Sequence, residues 1–350
     1  MSQPRAIHFS PDLQGESIIK EHFEFTMEQY VKYHDLHGGD EELRKSNYAD
    51  LVNKYYDLMS RFVEYWWGQS FHFAPRWREE TIRESIKRFE HFIALQLGLK
   101  KGMKVLDVGC GIGGPLIEIS RFSSTEITGL NNNAYQISRG KDLISSAGLS
   151  EQCNLIKGDF MNMPFADNTF DAAYAIEATM HAPDVLGAYR EIYRVLKPGQ
   201  YFAVDELCLT ERFDPSNSKH RGIKAEIELG CGLPDVRSTR QCIQAMKDAG
   251  FEVVFAKDLT EDSPCKWYQA NRVMDPVVML WASFNNSGLG QFITKAMIGA
   301  LEILRIVPKG SNGMLTTIQK SSHGLLTGSR ERIFTAMFFI LGRKPLKQGE

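Results

Sequence analysis

Several things are missing from this sequence, and each absence excludes something. Six cysteines are scattered at 110, 153, 208, 231, 242 and 265, and none forms a CxxC pair. Their spacing shows no disulfide framework and suits a reducing compartment. No apolar run reaches the ~18 residues that span a bilayer. The most apolar stretch near the end, Ile333 to Leu341, is too short and reads as a buried strand. The opening MSQPRAIHFSPDLQ lacks the charged-then-apolar pattern of a secretory leader, so the expectation is a soluble or peripheral protein. Nor is there a basic excess: 41 Lys and Arg stand against 43 Asp and Glu, a net charge of −2. That balance argues against nucleic acid as a partner. No internal repeat and no low-complexity segment is visible, and no metal site is expected.

The chain itself has ordinary globular composition, 43% apolar and 24% charged. Its 350 residues allow one large domain or two modest ones. Three zones stand out: a charged, aromatic, helical region at 1–100, alternating strands and helices at 101–260, and a further region at 261–350. In the middle zone β-rich runs fall at Lys104–Val108, Glu126–Leu130, Asn154–Lys157, Phe170–Ile176, Tyr201–Leu207 and Phe251–Ala256. Between them lie helical patterns. One opens at Pro115 with Leu116, Ile119 and Phe122 on one face, and one runs Ala134–Ala147 and is closed by Gly148. Another carries Val185, Leu186, Tyr189, Ile192 and Leu196 and ends at Pro198-Gly199. The last spans 239–249 and stops at Gly250. This alternation predicts an α/β fold, a doubly wound, mostly parallel sheet, with N-terminal helices and a C-terminal helix-strand extension. Ligands in such sheets sit outside the carboxyl ends of the strands. In the last zone Ile293, Ala296, Met297, Ala300, Leu301 and Leu304 mark an amphipathic helix. Packing against the core is the expectation for its apolar face, with a lipid-pocket wall or a membrane-facing surface as the alternative.

The strand at 104–108 runs into Gly109-Cys110-Gly111-Ile112-Gly113-Gly114 and then into a helix. Glycines there let the backbone turn sharply and let a ligand approach the main chain. Gly109, Gly111 and Gly114 also match GxGxxG, so a nicotinamide dinucleotide has to be weighed. Asp107 tilts the balance. A carboxylate repels a pyrophosphate but attracts a sulfonium or an ammonium. Where a dinucleotide enzyme carries an acidic ribose ligand stands Asn131, in Leu130-Asn131-Asn132-Asn133. Asp159, in Gly158-Asp159-Phe160, is placed either to accept from an adenine amino group or to serve as a turn residue.

With LDVGCGIGG, GDF and LKPGQYF in this order, the sequence resembles the class I methyltransferases. The resemblance implies S-adenosylmethionine as methyl donor. Its binding residues would be Asp107, Gly109, Gly111, Gly113, Asn131, Gln136, Asp159 and Phe160.

Residues 62–77 read FVEYWWGQSFHFAPRW, seven aromatics in sixteen positions, with Trp66 and Trp67 adjacent. Core packing is one reading; a large apolar pocket lined by ring faces is the other. Here the resemblance narrows. Tyr55-Tyr56-Asp57, Gly68-Gln69-Ser70-Phe71-His72-Phe73 and Arg83-Glu84-Ser85-Ile86-Lys87 look like the sterol C24-methyltransferases. So do Gly129 to Asn133, Ile176-Glu177-Ala178-Thr179 with His181-Ala182-Pro183, and Glu226 to Gly230. The similarity runs from about residue 50 to the C-terminus and is closest to the plant-type enzymes that methylate cycloartenol. Four places depart from the usual pattern: Trp66 for Gly, Val63 for an aromatic, Met180 for Cys, and Asp205-Glu206-Leu207 for Tyr-Glu-Trp. These alter pocket size and shape and bear on which sterol is taken.

The resemblance implies methyl transfer to the C24–C25 double bond of a sterol side chain. Such a reaction needs alignment, a dry site, stabilisation of a carbocation, and a base for the proton that leaves. Tyr65, Trp67 and Phe71 are the candidates for the cation, and Phe71, Phe73 and Trp66 for holding substrate. Glu64, His72, Glu177 and His181 are the candidate bases. On a helix Glu177 and His181 would share a face. Glu177 has cofactor holding or helix capping as its other reading, and His72 has a bond to the sterol 3-hydroxyl or a polar niche in the core. The competing functions are methylation of a tocopherol-like phenol and a non-catalytic cofactor- or sterol-binding scaffold. The family suggests a peripheral position on the cytoplasmic face of the endoplasmic reticulum, otherwise the cytoplasm. Region 262–310, with Trp267, Tyr268 and Trp281, is where lipid contact is expected, and a homo-oligomer stays open.

Overall fold

A computed structural model describes residues 41–266, 288–307 and 309–346. The chain enters through helices α1 (Glu41–Ser46), α2 (Tyr48–Trp66) and α3 (Ile82–Gln96). A reciprocal capping box fixes the start of α3: the Thr81 side chain accepts from the Glu84 amide, and the Glu84 carboxylate accepts from Thr81. Strands and helices then alternate as β1 (Lys104–Val108), α4 (Gly114–Ser123), β2 (Glu126–Asn131), α5 (Ala134–Ser146), β3 (Cys153–Lys157), β4 (Phe170–Ile176), α6 (Val185–Val195) and β5 (Leu196–Leu209). The remainder is α7 (Ser218–Cys231), α8 (Thr239–Asp248), β6 (Glu252–Asp258), α9 (Gly288–Ile303), α10 (Ser311–Arg330) and β7 (Phe334–Arg343).

Among the described residues seven strands form one sheet in the order β3-β2-β1-β4-β5-β7-β6. All pairings are parallel except those of β7, which runs antiparallel between β5 and β6. After β1 the chain builds outward through β2 and β3, then returns to β4 on the other side of β1. The crevice of the sheet therefore opens at the carboxyl ends of β1 and β4, where Asp107 pairs with Tyr174.

Period-two alternation serves two cores. Val105, Tyr174 and Phe339 point to the face covered by α3 and α4, with Phe89, Ile93, Leu116 and Ile119. Leu106, Ala173, Val204 and Ile340 point to the face covered by α6 and α8, with Tyr189, Ile192, Cys242 and Met246.

Three features differ from expectation. The terminal strand is there, but inserted antiparallel within the sheet. Helices α7 and α10 carry no clear apolar stripe, because glycines do the packing: a Cβ on Gly230 would overlap the Ser321 side chain, and one on Gly324 would press on Glu226. Finally, α9 does not bury its apolar face: Ile293, Met297 and Leu304 are 44%, 52% and 67% exposed, so their expected core packing is corrected. Trp267, Tyr268 and Trp281 lie outside the described residues. Among those described, no helix is long and apolar enough to cross a membrane.

Candidate active site

The glycine loop leaves β1 with Gly109 in the left-handed region (φ +75°). A Cβ at Gly109 would overlap that of Ala178 beyond β4, and one at Gly114 would overlap the carbonyl of Gln69 in the aromatic segment. Two distant segments thus seat directly on the loop. Asp107 is 3% exposed and accepts from the Tyr174 hydroxyl at 2.9 Å. Burial raises its pKa to about 7, with the Tyr174 bond opposing. A cation brought beside it would pull that value down and fix the carboxylate in its charged form.

Beyond β2, Asn131 donates to Gln136 Oε1 at 2.7 Å, and Gln136 donates to Ser60 Oγ at 3.0 Å. Asn133 caps α5 through the Gln136 amide and donates to Asp57 at 2.7 Å. Helix α2 is thereby tied to the β2–α5 turn. Asp159 accepts from the Tyr48 hydroxyl and, at 2.8 Å, from the Met161 amide, so its carboxylate is engaged as a turn residue while Phe160 lines the cavity. The cavity enclosed by loop, turn and α2 also takes in Asp107, Gly109, Gly111, Asn131 and Gln136, and holds about 970 Å³ including its mouth. Gly113 is the αL residue before α4 and lies against Leu155.

A second cavity, about 870 Å³, is almost wholly apolar. Met59 of α2, Trp67, Phe73, Leu207, Cys231, and Ile318 and Leu325 of α10 line it. The two cavities share Tyr56, Val63, Phe71, His72 and Glu177.

Glu177 follows the last residue of β4 at φ +50°, its amide held by the Asp205 carbonyl at 2.8 Å. Its Oε1 accepts from the Phe73 amide at 2.5 Å. Burial raises its pKa to about 8; His72 and the Phe73 amide oppose, and Glu206 adds to the rise. Glu177 and His181 do not share a helix face: β4 ends at Ile176, and a single 3₁₀ turn, Thr179–His181, follows.

The other candidate bases are committed elsewhere. His72, 2% exposed, places Nδ1 2.7 Å from the Phe73 carbonyl and Nε2 3.3 Å from Glu90. Both partners are acceptors, so both ring nitrogens carry protons. Burial opposes that charge, but Glu90, Glu177 and the Phe73 carbonyl outweigh it and raise the pKa. His181 faces the Gly232 carbonyl through Nδ1 at 3.3 Å, so its Nε2, 2.9 Å away, accepts the Tyr56 hydroxyl. Burial lowers its pKa to about 4, leaving it neutral. Glu64 forms a two-pronged ion pair with Arg139, Nη2 and Nε at 2.5 and 2.9 Å from Oε1.

Of the aromatic candidates, Trp67 donates to the His72 carbonyl at 3.2 Å and meets Phe71 and Phe73 edge-on, centroids 5.6 and 5.5 Å apart. Tyr65 and Trp66 end α2, and their side chains lie outside the described residues.

Three residues given no role in the sequence reading stand in or behind the shared wall. Glu90 had a signal: it sits with Ile86, Phe89 and Ile93 on the apolar stripe of α3, a charge where none belongs without a partner. Tyr56 had none beyond the motif. Asp205 is fully buried with neither carboxylate oxygen hydrogen-bonded among the described residues, and burial holds its pKa well above the ordinary range. Among the described residues no three His, Cys, Asp or Glu side chains group to hold a metal ion.

Comparison with known proteins bears on what the two cavities take. Residues 106–204 match the family described as methyltransferase domain, and 281–346 the family described as sterol methyltransferase C-terminal. Cycloartenol-C-24-methyltransferase 1 of Oryza sativa subsp. japonica is 57% identical, with 99% of this chain and 100% of that one covered. Cycloartenol-C-24-methyltransferase of Arabidopsis thaliana is 56% identical over 95% and 98%. The crystal structure of geranyl diphosphate C-methyltransferase from Streptomyces coelicolor A3(2), in complex with S-adenosyl-L-homocysteine, superposes with a TM-score of 0.61 at 16% identity over 85% and 98%, a likeness of fold.

Proposed function

The chain belongs to the sterol 24-C-methyltransferase family, and we propose that the cavity over its glycine loop holds S-adenosylmethionine while the apolar cavity holds the side chain of a cycloartenol-like sterol. It is an enzyme that methylates a Δ24 sterol at C24 with S-adenosylmethionine as donor. The observation that carries the assignment of cavities is their shared wall of Tyr56, Val63, Phe71, His72 and Glu177. A donor on one side and an alkene on the other meet only there. When bound, S-adenosylmethionine supplies an electrophilic methyl group. The donor set fits it: a buried carboxyl for its positive charge and a main chain stripped of side chains at Gly109 and Gly111.

An alkene needs no activation by a base, so positioning accounts for much of the first step. Positive charge then resides on the sterol, at C25. Phe71 stands in the shared wall and Trp67 just behind it; such ring faces stabilise a cation by roughly 0.5–2 kcal/mol each. After a hydride moves from C24 to C25, a proton leaves the added methyl group. Glu177 takes it. Glu64 is neutralised by Arg139, His72 has no lone pair, and the His181 lone pair is occupied by Tyr56. Burial makes Glu177 a stronger base than an ordinary carboxylate, and the Phe73 amide fixes its direction. Cycloartenol as the preferred sterol, and a peripheral position on the endoplasmic reticulum, rest on the family likeness.

The test is a panel of Δ24 sterols with methyl-labelled S-adenosylmethionine, read by mass spectrometry. A labelled 24-methylene or 24-methyl product, most rapidly from cycloartenol, is the expected result. No label in any Δ24 sterol would overturn the reading.

A further inference from the structure

Helix α9 is turned inside out. Phe292, Ile293, Met297, Ile303 and Leu304 are 70%, 44%, 52%, 83% and 67% exposed, and Ile306 just beyond is 65% exposed. Ala296 and Ala300 complete this stripe and are also exposed, whereas the polar Thr294 is buried. Isolated exposed apolar residues are common, but a continuous ridge along one helix marks an interaction surface.

Two further observations select the partner. The first is charge. Between 288 and 330 stand Lys295, Arg305, Lys309, Lys320 and Arg330 against one acid, Glu302, a net +4 within a chain of net −2. A basic helical pair flanking an apolar ridge complements an anionic lipid surface rather than another copy of the same basic element. The second is position. Glu302 accepts from the Asn312 amide at 2.7 Å where α9 packs on α10, and α10 supplies Ile318, Ser321, Ser322 and Leu325 to the apolar cavity. The helix that carries the ridge therefore packs on a helix that walls the cavity assigned to the sterol.

We propose that the outer face of α9 lies in the headgroup–acyl boundary of an anionic membrane, so that the sterol passes from the bilayer into the cavity beside α10. The inference rests on the sterol reading above. A helix lying in the interface buries its apolar face without crossing the bilayer.

The test uses the full chain and a triple substitution Phe292→Ser, Met297→Ser and Ile303→Ser, with Lys295→Glu as a separate variant. Flotation with phosphatidylcholine vesicles containing about one-third phosphatidylserine should show binding by the wild type, weaker binding to pure phosphatidylcholine, and at least a ~10-fold loss in the triple variant. Lys295→Glu should lose a few-fold on anionic vesicles alone. Delivered in detergent micelles, sterol should be methylated by the triple variant within about twofold of wild type, whereas turnover from vesicles falls with binding. Vesicle binding unchanged in the triple variant overturns the proposal. So does a wild-type dimer in light scattering that the triple substitution converts to monomer, since a second copy would then cover the ridge. Absence of methyl transfer from detergent by the wild type is a different failure, that of the sterol reading itself. A melting temperature and S-adenosylhomocysteine affinity matching wild type show that the variants fold.

Discussion

The cavity over the glycine loop mixes bare backbone and apolar side chains with polar ones held by named partners, whereas the cavity beside it is walled mainly by rings and aliphatic chains. In the first, Asp107 meets Tyr174, Asn131 meets Gln136, and Gln136 meets Ser60. Hydrogen bonds are directional, so this half defines one geometry and loses heavily when a partner is removed. In the second, Trp67, Leu207, Ile318 and Leu325 exclude water without prescribing an orientation. Dispersion and burial are non-directional, so this half tolerates changes of shape and selects by volume. In the proposed mechanism the chemistry falls where they meet, at Glu177 and His72.

The seam offers the sharpest way to break this comparison. Glu177→Gln keeps the volume and the acceptor for the Phe73 amide but removes the carboxylate proposed as the base. Turnover should drop by about 10³-fold, with S-adenosylhomocysteine and sterol affinity within threefold of wild type. Turnover within tenfold of wild type would move the base elsewhere. Next in size is Gly114→Ala, whose Cβ has to displace the Gln69 carbonyl. If the aromatic segment is seated on the loop, both ligands should bind about tenfold or more weaker, with stability lower by about 1–3 kcal/mol. Weakening of the cofactor alone would show that the two cavities are not joined there.

His72 tests the seam differently, as a positioning residue. Its cation lies beside Glu177 and opposes the rise of that carboxyl. Glu90→Gln, which removes the anion that holds His72 charged, should shift the rising limb of the pH–rate profile upward and reduce turnover about tenfold at pH 7. A profile of unchanged position with lower turnover would mean Glu90 matters only for packing. Leu325→Trp probes the apolar half by itself. The larger ring fills space that a sterol needs, so sterol KM should rise severalfold while S-adenosylhomocysteine affinity stays put; an effect on both would contradict separate cavities.

The same contrast explains which parts of the molecule were legible in the sequence. The sheet was, because short β-rich runs punctuated by Gly148, Pro198-Gly199 and Gly250 are local signals. The glycine loop was, because its constraint lies in the backbone itself. The antiparallel insertion of β7 was not: nothing local in Phe334–Arg343 says that it lies between β5 and β6. Helices α7 and α10 escaped notice because close approach through Gly230 and Gly324 leaves no apolar periodicity to read. The four candidate bases were chosen by residue type and segment, and only their tertiary partners distinguish them. Arg139, Glu90 and Tyr56 lie 75, 18 and 125 positions from the residues they occupy.

The last effect concerns pH and stability of the ligand-free enzyme. Glu177 and Asp107 have pKa values raised to about 8 and about 7 by burial, against 4.5 and 3.8 ordinarily. The folded chain holds these protons where the unfolded chain has released them. Their contribution is therefore full below about pH 4 and declines as pH rises to about 8, by at most ~1.4 kcal/mol per pH unit per group. The melting temperature should fall between pH 6 and 8.5, and Glu177→Gln should flatten that fall, since an amide has no proton to lose. The polar half adds a second readout. A cationic ligand next to Asp107 favours its ionised form, so S-adenosylmethionine should bind tighter at pH 8 than at pH 6 and release protons near pH 7. Calorimetry in buffers of different ionisation enthalpy measures that release, and Asp107→Asn should abolish it. An equal proton release in Asp107→Asn would assign the titration to another group and leave Asp107 as a structural partner of Tyr174.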